Sequence, residues 1–282
     1  MGLLSGLGDL GLEKLEGASI YEEKKEEVKP KAQAQAQEEK PFDENEWLFD
    51  KTCECVVCRS KFTYRAVRTG KARMIGQDPD LRPIYDKMDP IKYDVIVCPS
   101  CGYSALIRYF TGITAGQAKL VKTAIAGKVH GIKNSGIFSY DDAIKRYQLA
   151  LACAITKKGK NSERAYTCLK MAWCYRGKRD TYPVDAADYD EAVKECRENE
   201  NEALKLTYEG LIKARQEENF PIAGMDEHTL DYLIADLAVR FNDLDTASKL
   251  VGKLLTSQSA NERIKNKART LKEMIQFEKN NQ

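Results

Sequence analysis

Two pairs of cysteines, each in a Cys-x-x-Cys arrangement, constrain the fold of this chain more than any other feature of its sequence. The first pair is Cys55-Val56-Val57-Cys58 and the second is Cys98-Pro99-Ser100-Cys101. Each motif forms a tight turn whose two sulfurs converge, and two such turns placed face to face put four thiolates around one ion at roughly 2.3 Å. We therefore predict a metal site whose ligands are Cys55, Cys58, Cys98 and Cys101.

The metal predicted from this donor set is a structural Zn²⁺ ion. Four thiolates close a tetrahedral shell and leave no coordination position for water or substrate. Iron is the alternative, because a Cys-Pro-x-Cys-Gly-Tyr turn also resembles the knuckle of a rubredoxin, an electron-transfer module. Cys53 competes for the role of first ligand, but the geometry of the turn favours Cys55. The remaining possibility is that these are unrelated reduced thiols.

A small β module is predicted around the metal site. Phe62 and Tyr64 alternate with polar residues after the first turn, and residues 93–97 alternate in the same way before the second, as half-buried strands do. The spacer between the turns exceeds the roughly 15–20 residues of a standard zinc ribbon. We predict a zinc-ribbon-like module over residues 47–112. Its long insert holds two turn-forming sequences, Asp78-Pro79-Asp80-Leu81-Arg82-Pro83 and Asp89-Pro90.

Residues in and around this module carry a family resemblance. Those that carry it near the metal turns are Cys55-Val56-Val57-Cys58, Phe62, Asp80-Leu81-Arg82-Pro83, Tyr85, Pro90, Tyr93-Asp94-Val95 and Cys98-Pro99-Ser100-Cys101-Gly102-Tyr103-Ser104-Ala105. Further along, they are Ala143, Tyr147, Leu149-Ala150 and Ala172-Trp173. Over roughly residues 50–215 the chain resembles a bacterial family of uncharacterised proteins, domain of unknown function 2225. The resemblance implies the metal and the fold, and it adds little about function because the family carries no known activity.

Helical hairpins are predicted for the rest of the chain. Ala143, Tyr147 and Ala150 have the small–aromatic–small spacing of the second helix of a tetratricopeptide repeat. The first helix of such a repeat is matched by Tyr166, Leu169, Ala172, Trp173 and Gly177. We predict a tetratricopeptide-like domain of antiparallel hairpins, a short α-solenoid, over residues 113–282. Further helices are predicted over residues 187–217, 231–241, 244–255 and 260–277.

The first 46 residues are predicted to be a disordered tail. Residues 21–46 are low in complexity, and residues 1–50 carry 6 lysines against 13 acidic residues. The Gly/Leu-rich stretch at residues 1–17 is either a short docking peptide or part of the same disorder. Composition therefore divides the chain into a tail, the metal module and the helical domain.

The chain is predicted to be cytoplasmic. Residues 1–17 lack the basic start and the unbroken apolar core of a secretory signal. No apolar run approaches the roughly 20 residues that a membrane span needs. Nine cysteines without an export signal are better suited to a reducing compartment than to a disulfide framework.

Nucleic-acid binding is an alternative function that the charge pattern leaves open. Residues 51–140 carry 15 basic and 6 acidic residues. Basic residues beside Phe62 and Tyr64 on a small β module suit phosphate contacts and base stacking, although a solvated basic face gives the same pattern. The candidate residues are Arg59, Lys61, Arg65, Arg68, Lys71 and Arg73.

The function predicted from the sequence is interaction rather than catalysis. No nucleophile arrangement and no phosphate-binding glycine motif is found in the sequence. Stacked hairpins offer a groove for a peptide or a protein, so we predict a zinc-binding scaffold with a partner of unknown identity. The candidate interaction residues are Tyr147, Tyr166 and Trp173. The oligomeric state does not follow from the sequence.

Overall fold

Helices dominate the computed structural model, which describes residues 42–129 and 131–280. Within those residues the chain forms six strands, β1 to β6, and then seven helices, α1 to α7. The strands are Leu48–Glu54, Lys61–Val67, Met74–Gln77, Pro83–Tyr85, Val95–Val97 and Ser104–Leu106. The helices are Ala115–Ala124, Tyr140–Thr156, Asn161–Asp180, Tyr189–Glu217, Glu227–Arg240, Leu244–Thr256 and Glu262–Asn280. The predicted fold class, mainly helical with a small β module before the helices, is confirmed.

The strands form three antiparallel hairpins, β1–β2, β3–β4 and β5–β6. In β2, Tyr64 is buried and Phe62 is half-buried while Lys61 is exposed, so the predicted alternation is present. In β5 the predicted alternation is wrong, because all of Val95–Val97 is buried. The reason is that both faces are covered: the two valines belong to the helical core, and Ile96 belongs to the core beside the metal turns.

The helices pack as hairpins joined by short turns. Helix α2 packs on α3, α3 on α4, α5 on α6, and α6 on α7. Small residues allow the closest approaches: Gly177 of α3 lies against Tyr140 of α2, and Gly210 of α4 lies against Ala165 of α3. The long helix predicted at residues 187–217 is α4. The hairpins agree with the sequence, and the specific likeness to tetratricopeptide repeats stays a prediction.

The described part of the chain begins with a folded segment. Glu44–Trp47 is one turn of 3₁₀ helix. Glu44 accepts a hydrogen bond of 2.6 Å from the hydroxyl of Tyr93. The predicted end of the tail just before Trp47 is therefore too late, since the residues preceding it are already docked. The remainder of the predicted tail, residues 1–41, lies outside the described residues. Among the helices that the structure describes, none is long and apolar enough to cross a bilayer.

The metal module and the helices share buried clusters. Leu106 of β6 and Tyr147 of α2 belong to one of them, which runs through the helical hairpins. Tyr103, which follows the second metal turn, belongs to another together with Cys153 of α2. The described residues from Phe42 onward form one compact unit. The module is thus built into the same body as the helices.

The insert between the metal turns docks on the helices through its aspartates. Asp78 and Asp80 lie between β3 and β4, and the guanidinium of Arg176 in α3 binds both, at 2.7 Å and 2.6 Å. The indole N–H of Trp173 donates to Asp80 at 3.1 Å. The hydroxyl of Tyr232 in α5 donates to a backbone carbonyl of the same turn at 2.8 Å. The insert therefore contacts both α3 and α5, and it connects the hairpins of α2 to α4 with those of α5 to α7.

A carboxylate at this junction is expected to make stability depend on pH. Burial, and then the charge of Asp80, raise the pKa of Asp236 from 3.8 to about 7, although Lys267, Arg176 and Arg240 oppose the shift. A raised pKa means that the folded state holds the proton more tightly. The contribution of protonated Asp236 to the free energy of unfolding is therefore fully present below about pH 4. It is lost as the pH rises to about 7, by up to about 1.4 kcal/mol per pH unit.

The Asp236→Asn variant removes this dependence. We expect urea unfolding, measured at several pH values, to show that the variant gains stability over the natural chain as the pH rises through this window. A constant difference between the two chains across the window would contradict the shifted pKa of Asp236.

Candidate metal centre

The two metal turns have the same backbone geometry. In the first, the N–H of Cys55 donates to the carbonyl of Ser60 at 2.9 Å, and the N–H of Arg59 donates to the carbonyl of Cys55 at 2.8 Å. The second turn repeats both bonds, at 2.8 Å and 2.9 Å, with Gly102 in the place of Arg59. Both of these residues have left-handed backbones, with φ of 64° and 74°. The turns are equivalent knuckles, one at the end of β1–β2 and the other at the end of β5–β6.

The structure brings together the four sulfurs that the sequence predicts as ligands. All four lie within 4.8 Å of one another. The sulfurs of Cys55 and Cys101 are 3.6 Å apart, and so are those of Cys58 and Cys98. A tetrahedron with bonds of about 2.3 Å has sulfur–sulfur edges of about 3.8 Å, whereas a disulfide requires about 2.05 Å. The spacing therefore fits four ligands of one ion and excludes a disulfide.

The environment of the sulfurs favours a bound cation. Cys55 and Cys98 are fully buried and Cys101 nearly so. The hydrogen bonds of Cys101 with Cys55 and Cys98, together with burial, raise the pKa of the Cys101 thiol. Hydrogen bonds with Cys101 and then Cys55 lower the pKa of the Cys98 thiol, although burial opposes this shift. Four thiolates at this distance repel one another in a buried site, and a divalent ion compensates that repulsion. The group is a cluster of cysteines that could hold a metal ion.

One hydroxyl beside the sulfurs was not identified from the sequence. The side-chain oxygen of Ser60 lies 3.0 Å from the sulfur of Cys58 and 3.4 Å from that of Cys98. Its one proton can be donated to either of these two thiolates, which belong to different knuckles. The one signal in the sequence is the position of Ser60 in the first knuckle, which is the position that Tyr103 has in the second. That position could have indicated that its side chain lies near the sulfurs. Cys53 is not part of the group of four.

Adding a methyl group at Gly102 is expected to disrupt the second knuckle. A Cβ there would lie 2.6 Å from a methyl carbon of Val129, and it would also force a left-handed backbone on an alanine. We expect Gly102→Ala to lower the free energy of unfolding by about 2–4 kcal/mol through strain and overpacking. Chemical denaturation of the metal-loaded chain measures this.

The first knuckle provides the matched control. Arg59→Gly relieves the left-handed backbone at the equivalent position and loses only an exposed ion pair with Glu54, 3.5 Å long. We expect this variant to stay within about 1 kcal/mol of the natural chain. If Gly102→Ala and Arg59→Gly lower the free energy of unfolding equally, the close approach of Val129 to Gly102 does not have the effect described.

The basic residues proposed for nucleic acid are only partly free. Arg65 binds Asp50 at 3.2 Å and Asn45 at 3.0 Å. Of the aromatic residues interleaved with the basic residues in β2, Tyr64 is buried and Phe62 is half-buried, and the Arg65 side chain is only 13% exposed. Nucleic-acid binding by the basic run stays a prediction. The exposed members of the run are Arg59, Lys61, Arg68, Lys71 and Arg73.

Two of the three residues proposed for partner binding lie inside the protein. Tyr147 is fully buried and donates a hydrogen bond of 3.0 Å to the carbonyl of Ile91. Trp173 is 5% exposed and binds Asp80. Their proposed role in partner binding is therefore wrong, since the aromatic residues of the repeat pattern fill the space between helices. Tyr166 is half-buried.

The fold and the cysteine cluster define a class of protein in which a four-cysteine module is integrated with helical hairpins. Residues 48–275 match the family described as an uncharacterized protein conserved in bacteria (DUF2225). The chain belongs to this family. The comparisons with curated proteins and with solved structures give no match.

Proposed function

We propose that this chain is a zinc-binding interaction protein of the cytoplasm, in which the ion is structural and the helices bind a protein partner. The observation that carries the first part is the closed cysteine cluster. Four thiolates, three of them on buried residues, fill a tetrahedral shell, so a bound ion has no position for a substrate. Its role is to fix the two knuckles, and through them the insert and α2. The role proposed for the chain is binding rather than catalysis.

The surface proposed for the partner is a groove between α2, α3 and α4. It has a volume of about 230 Å³, and Leu151, Ile155 and Leu206 lie along it. Ile155 is 56% exposed and Leu206 is 45% exposed. Two basic residues, Arg164 and Lys213, and one acidic residue, Glu209, flank these apolar side chains, so the charge around the groove is positive by one. A peptide with apolar anchors and acidic neighbours complements such a surface.

Affinity purification from cell extract, with and without nuclease, tests this proposal. A double variant, Ile155→Asp with Leu206→Asp, removes the apolar anchors. The control is Val184→Asp, at a residue that is 78% exposed and does not line the groove. We expect a protein that is captured by the natural chain and by the control, is lost with the double variant, and is unaffected by nuclease. Capture by all three chains, or capture that nuclease abolishes, would contradict the groove as the partner site.

A further inference from the structure

A cavity of about 430 Å³ lies where the metal module, its insert and the helices meet. Its walls come from the β1–β2 hairpin, from β4 with the 3₁₀ helix that follows it, and from α3. Ligand sites for small molecules commonly have this size and lie between substructures. The side chains that give the cavity its chemical character are Phe49, Lys51, Tyr64, Tyr85, Asp94 and Lys170.

Two aromatic side chains of the cavity keep part of their surface exposed. In the β1–β2 register Phe49 is opposite Ala66 and Lys51 is opposite Tyr64, so these four side chains share the inner face of the hairpin. Phe49 is half-buried, with the guanidinium of Arg68 at 5.5 Å from the centre of its ring, and Tyr85 of β4 is half-buried as well. Partly exposed aromatic faces of this kind stack on planar heteroaromatic rings.

The α3 side of the cavity is polar. The ammonium group of Lys170 donates to a carboxylate oxygen of Asp94 at 2.5 Å and lies 5.2 Å from the centre of the Tyr166 ring. This bond uses one of the two carboxylate oxygens of Asp94 and one of the three N–H donors of Lys170, so each side chain retains further hydrogen-bonding capacity. The pair can therefore present an acceptor and a donor side by side. The edge of a nucleobase carries the same two functions in complementary positions.

A separate positive charge stands at the exposed side of the cavity. Lys51 is exposed on β1 and forms no ion pair with the described residues. Lys170, in contrast, is already neutralised by Asp94. A ligand that enters the cavity with an apolar ring can thus place an anionic group against Lys51, where water still reaches it.

We propose that this cavity binds one nucleotide, with its base between Phe49 and Tyr85, its base edge toward Asp94 and Lys170, and its phosphate toward Lys51. A cationic ligand would leave Lys51 without an anionic partner, and a purely apolar ligand would bury the Lys170–Asp94 ion pair without partners for it. The same chemistry is offered by a free nucleotide and by one unit of a single-stranded nucleic acid.

Isothermal titration of the zinc-loaded chain distinguishes these sources. The probes are the four ribonucleoside monophosphates, a short single-stranded oligonucleotide and ribose 5-phosphate, which has the phosphate without the base. We expect saturable binding of nucleotides at one site and at least about tenfold weaker binding of ribose 5-phosphate. Tighter binding of the oligonucleotide identifies nucleic acid as the source, and equal or weaker binding identifies the free nucleotide. Equal affinity for ribose 5-phosphate and the nucleotides, or no binding of any nucleotide, overturns the proposal.

Matched variants locate the site. Tyr85→Ala removes a proposed stacking face, Tyr85→Phe retains it, and Ile84→Ala changes the exposed neighbour on β4. We expect only the first to weaken nucleotide binding, by about tenfold, with an unchanged circular dichroism spectrum. Lys51→Gln is expected to weaken nucleotide binding while Lys71→Gln, at an exposed residue outside the cavity, does not. Equal effects of the two lysine variants would show general attraction to a basic surface and overturn the assignment.

Discussion

Removing the metal ion is expected to lower the melting temperature of the helices and not only to loosen the cysteine turns. The second knuckle leads directly into β6, where the backbone N–H of Ser104 donates to the sulfur of Cys153 in α2 at 3.4 Å. Leu106, two residues further on, belongs to the helical core. Because these residues follow the predicted ligand Cys101 without a linker, we expect release of a bound ion to free a segment that covers α2.

The expected size of this effect is large. Structural zinc contributes about 10–16 kcal/mol to the folding of small zinc-finger peptides, and part of that is expected here because the rest of the core persists. Each kcal/mol shifts the melting temperature of a domain of this size by about 2–4 °C, so loss of several kcal/mol corresponds to a fall of about 10 °C or more. Circular dichroism at a helical wavelength measures it, with and without a strong chelator. An unchanged helical melting curve after verified loss of metal would show that the two parts are independent.

Replacing Arg176 by methionine is expected to be the most damaging change away from the metal. Its side chain is 11% exposed and binds Asp78, Asp80 and Glu200, whose carboxylates lie at 2.6–2.8 Å. Glu200 is 2% exposed, so the substitution leaves a buried charge with fewer partners. Breaking a buried ion pair in this way costs about 3–5 kcal/mol. The insert would also lose its main attachment to α3.

Two further variants distinguish the loss of this ion-pair network, Arg176 with Asp78, Asp80 and Glu200, from the general effect of removing an arginine. Arg176→Lys keeps the charge but not the planar fork that reaches several carboxylates, so we expect an intermediate loss. Arg197→Met, at an exposed residue of α4, is expected to change the free energy of unfolding by less than about 0.5 kcal/mol. Chemical denaturation gives all three values. A loss below about 1 kcal/mol for Arg176→Met would contradict the proposed role of the network.

The parts of the fold that depend on local sequence were predictable. Each cysteine turn is defined within a few residues, so the four grouped cysteines and one strand beside each turn, β2 and β5, could be identified before the structure. Helices with a continuous apolar face were equally clear, and Ile264, Ala268 and Leu271 of α7 are buried as the spacing indicates.

The parts that depend on distant segments were not predictable. Asp78 and Arg176 are 98 residues apart, and nothing in either local sequence indicates that they meet. The aspartates of the insert therefore suggest turns, which is correct but incomplete. The pattern of aromatic residues in the hairpins shows that these side chains pack against something. It does not show whether they pack against a partner or against the chain itself, and for this reason they were assigned to a binding surface. The cavity likewise requires three segments to come together.

Elemental analysis of the purified chain tests the central claim most directly. The cysteine geometry predicts about one zinc ion per chain. The same content is expected for Cys53→Ser, because Cys53 is outside the group of four, and almost none for Cys98→Ser. Iron in place of zinc, zinc that survives Cys98→Ser, or a natural chain without metal would contradict a structural zinc site built from Cys55, Cys58, Cys98 and Cys101.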